Sequence, residues 1–310
     1  MASGQDRTEQ VFREAYEKGL RVVSHGKPAD YIPELKKADP ESFGICMLRP
    51  DGTGLSFGDA DVRFTMQSIS KIVSLAVCLN LRGFEDTFSY VQMEPSGDPF
   101  NSMRRLDTAG DTPFNPMINA GAIQVVSLLA DTYSFEDMLD FTRRFCMDGG
   151  ITLNESVYRS EAQTGFRNRA IAYLLRGKEI LQADPDKTLE LYFKLCSMNV
   201  TARSLAGLGL VISCGGVDPF TGERLINDAT YVRVIKSLMF TCGLYDGSGE
   251  YGVRVGIPSK SGVGGGIMCA AKGPMGIGLY GPALNEQGNS VAGMKAIEYI
   301  SKGLDLHVLD

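Results

Sequence analysis

The chain carries strand-like pairs near both ends and helical patterning between them, and that order restricts the fold more than any other feature. Residues 43–48 form a short apolar run, Asp51-Gly52-Thr53-Gly54 gives a turn, and 55–58 returns as a second strand. After Tyr245 the composition shifts to glycine. Gly262, Gly264, Gly265 and Gly266 lead into a strand-like 267–271, which the Gly273-Pro274 turn joins to 275–280. From 67 to 245 the pattern is helical, with segments predicted at 67–82, 117–132, 135–147, 166–176, 187–197, 201–213 and 228–242. An amphipathic helix at 5–23 precedes all this, and Asn289 is read as the cap of a last helix bearing Val291, Met294, Ile297, Ile300 and Leu304. A sheet assembled from both chain ends, with an all-helical lobe inserted, is the simplest compact arrangement. The expected fold class is therefore α/β, with a mostly antiparallel sheet flanked by helices. The expected organisation is an N-terminal helix and linker at 1–28 and one domain at 29–310. Within it the sheet part takes 29–66 and 246–310, and the helical part 67–245.

Charge and residue usage exclude several functions. A net charge of −6 over 310 residues argues against nucleic-acid binding, which needs a basic face. No run of apolar residues is long enough to span a membrane. The first 22 residues include Asp6, Arg7, Glu9, Arg13, Glu14 and Glu17 and lack the apolar core of a signal peptide, so a cytoplasmic location is expected. The seven cysteines are scattered without CxxC spacing and read as free thiols of a reducing compartment. Only two histidines are present, His25 and His307, so any acyl chemistry here is expected to use a base other than imidazole.

The motif with the most chemistry is Gln67-Ser68-Ile69-Ser70-Lys71, at the start of the apolar stretch 72–81. A hydroxyl and an amine three residues apart share one helix face, with side-chain carbons about 5–6 Å apart. Ser68 falls at a helix start, where free N–H groups favour developing negative charge. Lys71 lies among Ile72, Val73, Leu75, Ala76 and Val77, an environment that depresses its pKa and suits it as a base. Taken alone the motif fits equally a first-turn serine beside a solvated lysine. A second Ser-x-x-Lys, Ser24 to Lys27, precedes Pro28 in a loop and reads as a chance copy. Lys260-Ser261-Gly262, on an edge strand facing the serine, would offer a backbone N–H to an oxyanion. Ser197-Met198-Asn199 is read as the end of a helix, not as part of this set.

Longer strings carry a family resemblance. They are 29–33, 67–71, Glu94-Pro95-Ser96-Gly97, 115–123, Ser160-Glu161 with Arg167-Asn168, Tyr192-Phe193 with Leu195-Cys196-Ser197, Cys242-Gly243-Leu244-Tyr245-Asp246, Lys260-Ser261-Gly262-Val263 and Gly288-Asn289-Ser290-Val291. In this order, from about 29 to 300, the chain resembles the serine-dependent, β-lactamase-like glutaminases. The resemblance implies a β-lactamase/penicillin-binding-protein-like fold and hydrolysis of L-glutamine to L-glutamate and ammonia through an acyl-serine, with no cofactor and no metal. By the same resemblance Ser68 is the nucleophile, Lys71 and Tyr245 handle its proton, and the N–H groups of Ser68 and Val263 form the oxyanion hole. Tyr31, Asn119, Glu161, Asn168 and Tyr192, together with Ser68, Tyr245 and Val263, bind the substrate. A homodimer or homotetramer is implied as well. The segment 102–112 differs from that of phosphate-regulated members. Without the resemblance, Tyr192 reads as core, Asn119 as a helix-start residue and Glu161 as a solvated charge. Two rival functions follow from the residues: a penicillin-interacting acyltransferase or β-lactamase, and a protein that binds glutamine without turnover.

Overall fold

The computed structural model describes residues 4–96 and 112–310, so most of the 102–112 segment lies outside the described residues. The chain opens with helix α1 (Gly4–Leu20), strands β1 (Gly44–Leu48), β2 (Gly54–Gly58) and β3 (Phe64–Thr65), and helix α2 (Ser70–Ser89). A helical stretch follows: α3 (Asn119–Ser127), α4 (Phe135–Phe145), strand β4 (Thr152–Leu153), α5 (Glu155–Thr164), α6 (Phe166–Gly177) and α7 (Pro185–Cys196). Strand β5 (Met198–Val200) then leads to α8 (Ala202–Ser213), α9 (Ala229–Cys242) and α10 (Ser248–Arg254). Strands β6 (Ser259–Ser261), β7 (Gly266–Ala271) and β8 (Met275–Tyr280) and helix α11 (Val291–Leu304) complete it.

The main sheet has the order β2-β1-β8-β7-β6 and is antiparallel throughout. Strands from both chain ends therefore meet at the β1–β8 pair, with Gly44 opposite Tyr280, as the sequence order predicts. Glycine in the left-handed region closes the tight turns, Gly52 (φ 85°) between β1 and β2 and Gly273 (φ 69°) between β7 and β8.

Alternation along the strands explains the layering. Ile45, Met47, Ile267, Cys269, Ile277 and Leu279 pack with Phe12 and Ala15 of α1 and Ala296, Ile297 and Ile300 of α11. Cys46, Met268, Ala270 and Tyr280 point the other way, into a larger core that includes α2, α3, α7 and α8. Helix α8 lies directly on that face. A Cβ at Gly276 would come within 1.9 Å of Ala206 O, and one at Gly278 within 1.9 Å of Ala202 O. Only glycine lets the helix backbone rest on the strand there.

Helix starts follow the capping chemistry. Ser134 and Asp137 form a reciprocal box before α4, and Thr201 and Ser204 form one before α8. Asp184 caps α7 ahead of Pro185. Three local readings are corrected. The last helix is capped by Ser290, which accepts from Gly293 N, and not by Asn289, whose amide donates to Leu244 O. Ser197-Met198-Asn199 leaves the helix and runs into β5, in a small sheet ordered β3-β5-β4. Helices α5 and α10 have no counterpart in the sequence reading. The first is mostly polar, and the second spans only seven residues with Gly249 and Gly252 inside.

Candidate active site

Between β3 and α2 the chain makes one 3-10 turn, Gln67–Ile69, which carries Ser68. Met66 N donates to Met198 O at 2.9 Å, so β5 fixes the approach to this turn. Gln67 has φ 48°, a left-handed backbone held by a residue with a Cβ. Such strain costs on the order of 1–3 kcal/mol and persists only where the surroundings enforce it. Lys71 follows one turn later, is 1% exposed, and sits on the helix as the spacing predicts. Its Nζ donates to Asn119 Oδ1 at 2.8 Å and to Met117 O at 3.1 Å. Burial pushes its pKa down to about 8, against a partial pull upward from Cys196 and Glu161. A neutral amine has two N–H bonds and one lone pair. With both N–H groups spent on Asn119 and Met117, the lone pair remains to accept a proton.

Tyr245 comes from a 3-10 turn after α9 and also has a left-handed backbone, φ 59°. Its phenol is hydrogen-bonded to the Ser68 side chain and donates to Ser261 O at 3.3 Å. Burial pushes its pKa up to about 12, so it keeps its proton at neutral pH. Strand β6 is the sheet edge beside Ser68. A Cβ on Gly262 would fall 2.8 Å from Met66 O and 3.4 Å from Ser68 N, which shows how closely the Ser261–Val263 backbone passes the serine turn. Val263 packs its side chain with Ile32, Leu35, Val157, Tyr245 and Leu284.

A cavity of about 260 Å³ opens beside Ser68 and is lined by Tyr31, Gln67, Asn119, Glu161, Asn168, Tyr192 and Cys196, among others. Six of the anticipated residues thus share one space, while Lys71, Tyr245 and Val263 do not line it. A wider groove of about 440 Å³ between α10 and α11 contains none of the anticipated residues.

Glu161 is not the solvated charge its polar helix suggests. It is 5% exposed, and burial pushes its pKa up to about 8 despite a hydrogen bond from Gln67 and the nearby Lys71. Its Oε2 is buried without a hydrogen-bond partner among the described residues. Asn119 Nδ2 donates to Asn168 Oδ1 at 2.9 Å, which orients both amides at the cavity wall. Tyr192 on α7 is buried and bonded to the Cys196 thiol one turn later. Tyr31 is 52% exposed as a whole residue, yet burial of its hydroxyl end, near Tyr245 and Glu161, raises its pKa well above the usual tyrosine range. Gln67 and Cys196 are site residues that the sequence reading gave no role. The Tyr192–Cys196 spacing was a usable signal for the second, and a strained φ leaves none for the first.

The family model for glutaminase matches residues 26–309. This chain belongs to the glutaminase family. It is 45% identical over 296 residues to Glutaminase 2 of Clostridium perfringens, covering 94% of this chain and 97% of that one. A glutaminase of Fusobacterium nucleatum is 46% identical over 303 residues, covering 96% and 99%. Among solved structures, the probable glutaminase ybaS aligns with a TM-score of 0.93 at 36% identity, over 98% of this chain and 99% of that one. The Bacillus subtilis glutaminase YbgJ, solved as a covalent complex formed by reaction with 6-diazo-5-oxo-L-norleucine, aligns with a TM-score of 0.87 at 36% identity, over 97% and 99%. The β-lactamase-like fold anticipated for this glutaminase is the one these relatives share.

Proposed function

We propose that this glutaminase hydrolyses L-glutamine to L-glutamate and ammonia through a γ-glutamyl ester on Ser68. The observation that carries this reading is the buried Oε2 of Glu161, without a hydrogen-bond partner among the described residues, in the same cavity as Ser68. A carboxyl oxygen withheld from water has its acceptor capacity unused, and the α-ammonium of an amino acid is a cationic donor that would pair with the ionised form. Such a charge-assisted bond contributes about 1.5–3 kcal/mol. Asn119, Asn168, Tyr31 and Tyr192 complete the head-group contacts, and an amide lacking a free amino group leaves Glu161 unpaired and is rejected.

The two pKa displacements divide the proton work. Lys71, partly neutral near pH 8, takes the Ser68 proton as Oγ attacks the carboxamide carbon. The resulting oxyanion lies against the N–H groups of Ser68 and Val263. Tyr245, still protonated, gives its proton to the departing nitrogen as the C–N bond breaks, and recovers one from Lys71. Water then attacks the ester and passes a proton to Lys71, which returns it to Ser68 Oγ as the C–O bond breaks, so that glutamate leaves and both the serine and the neutral amine are restored.

The same reading puts the chain in the cytoplasm as a homodimer or homotetramer. Phe166 and Tyr173, exposed and two turns apart on α6, offer an apolar face for self-association. It also keeps the division into a sheet part (29–66 and 246–310) and a helical part (67–245). The deciding experiment is Ser68→Ala. Ammonia release from glutamine is expected to vanish while Tm stays nearly constant, and glutamine, not N-acetylglutamine, is the substrate of the parent. Activity retained in Ser68→Ala would end the serine mechanism.

A further inference from the structure

Lys260 is a buried lysine to which the mechanism assigns nothing. It is fully buried on the edge strand β6, and none of its hydrogen-bond partners among the described residues is a carboxylate. Its Nζ donates to Gly243 O at 2.9 Å and to Ser261 O at 2.6 Å. The same nitrogen stands 4.3 Å from the centroid of the Tyr245 ring. Burial depresses its pKa well below the ordinary lysine range, and the Lys71 charge adds to the depression. Keeping an amine in such a place is costly, and a methionine would fill the volume without that cost.

Its partners indicate what the amine does there. Ser261 O is also the acceptor of the Tyr245 hydroxyl, so one carbonyl is shared by the lysine and the phenol. Gly243 O, two residues before Tyr245, receives both Lys260 Nζ and Ser261 N (3.2 Å). The 243–245 turn is pressed hard on β6, since a Cβ at Gly243 would come within 1.8 Å of Ser259 O. Tyr245 holds a left-handed backbone that a tyrosine does not adopt unless it is enforced. Lys260 therefore grips both ends of the Tyr245 side chain's support: the turn that carries it and the carbonyl that receives its hydroxyl.

We infer that Lys260 is a positioning residue, which locks the Tyr245 phenol in line with Ser68 by clamping the 243–245 turn to the edge strand and sharing the Ser261 carbonyl with it. This rests on the acyl-serine reading above, in which Tyr245 serves Ser68. It adds a residue that touches neither substrate nor nucleophile.

The test is a double-mutant cycle on Lys260→Met and Tyr245→Phe, read as kcat, KM and the rate at which 6-diazo-5-oxo-L-norleucine labels the protein. Final labelling stoichiometry normalises each variant for folded sites. Lys260→Met is expected to lower kcat about 10- to 100-fold, the scale of a displaced catalytic group, while KM stays within about twofold. In the Tyr245→Phe background the same substitution is expected to change either rate by less than about twofold, because the group it positions is already gone. If Lys260→Met does not accumulate as folded protein, Lys260→Gln, which keeps N–H donors, goes through the same cycle. Additive losses in the double variant, or a change in KM alone, would overturn the inference. Ser68→Ala separates the two readings. If that variant still releases ammonia, the acyl-serine reading fails. If it is inactive while Lys260→Met is normal, only the role of Lys260 fails.

Discussion

Glu161 and Lys71 are both stripped of water, and burial moves their pKa values toward one another, the carboxyl up to about 8 and the ammonium down to about 8. For Glu161 the folded value lies above the unfolded one. Between about pH 4.5 and 8 the folded state binds more protons, and stability falls as pH rises through that window. For Lys71 the folded value lies below the unfolded one, so its contribution recovers as pH climbs from about 8 toward 10.5. Glu161→Gln is therefore expected to gain Tm relative to the parent, with the gain larger at pH 8 than at about pH 5.5. The same variant raises KM for glutamine about 10- to 100-fold through loss of the charged contact. A thermal-shift series at both pH values, beside steady-state kinetics, checks both statements. For the parent, kcat/KM is expected to rise as pH increases through about 8, because Lys71 must be neutral to accept a proton and Glu161 charged to hold an ammonium. A profile flat from about pH 6 to 9 would contradict that assignment. The Ser68–Lys71 pair was legible because the two lie only three residues apart, across a 3-10 turn that runs straight into α2. Glu161 was not, because α5 shows almost no apolar stripe and the burial of its charge is decided by α7 and the serine turn, far away in sequence.

The strands contributed by the two chain ends were legible, since alternation and tight glycine turns are short-range signals. What the pattern missed were elements too short or too polar to show a period. Strand β5 is three residues wedged between two helices, and its place is decided by pairing with β3 and β4. The seam between α8 and β8 is equally silent in sequence, yet it sets how deeply the helix seats on the sheet. Gly278→Ala is expected to cost about 1–3 kcal/mol by overpacking against Ala202 O, and denaturant unfolding reads it directly. Gly262→Ala tests the other glycine contact. The new Cβ would press on Met66 O and approach Ser68 N, and kcat is expected to fall about tenfold or more while the fold persists. An unchanged kcat would mean that the passage of β6 past the serine does not govern the reaction.

Two cores share one sheet; Tyr192 and Cys196 belong to the larger one, and Tyr245 and Val263 to a small third cluster. Phe12 of α1 lies in the other of the two cores, against the far face. Phe12→Ala is expected to cost about 3–5 kcal/mol and to lower Tm, with KM for glutamine unaltered; a shift in KM would show the two sides of the sheet to be energetically linked. In the proposed reading, substrate is recognised by its amino-acid head, through Glu161 and the paired amides of Asn119 and Asn168. The released acid carries that same head unchanged. On that reading its affinity differs from that of the starting amide only through the distal group near Ser68, and accumulating glutamate is expected to act as a built-in brake on the enzyme that makes it.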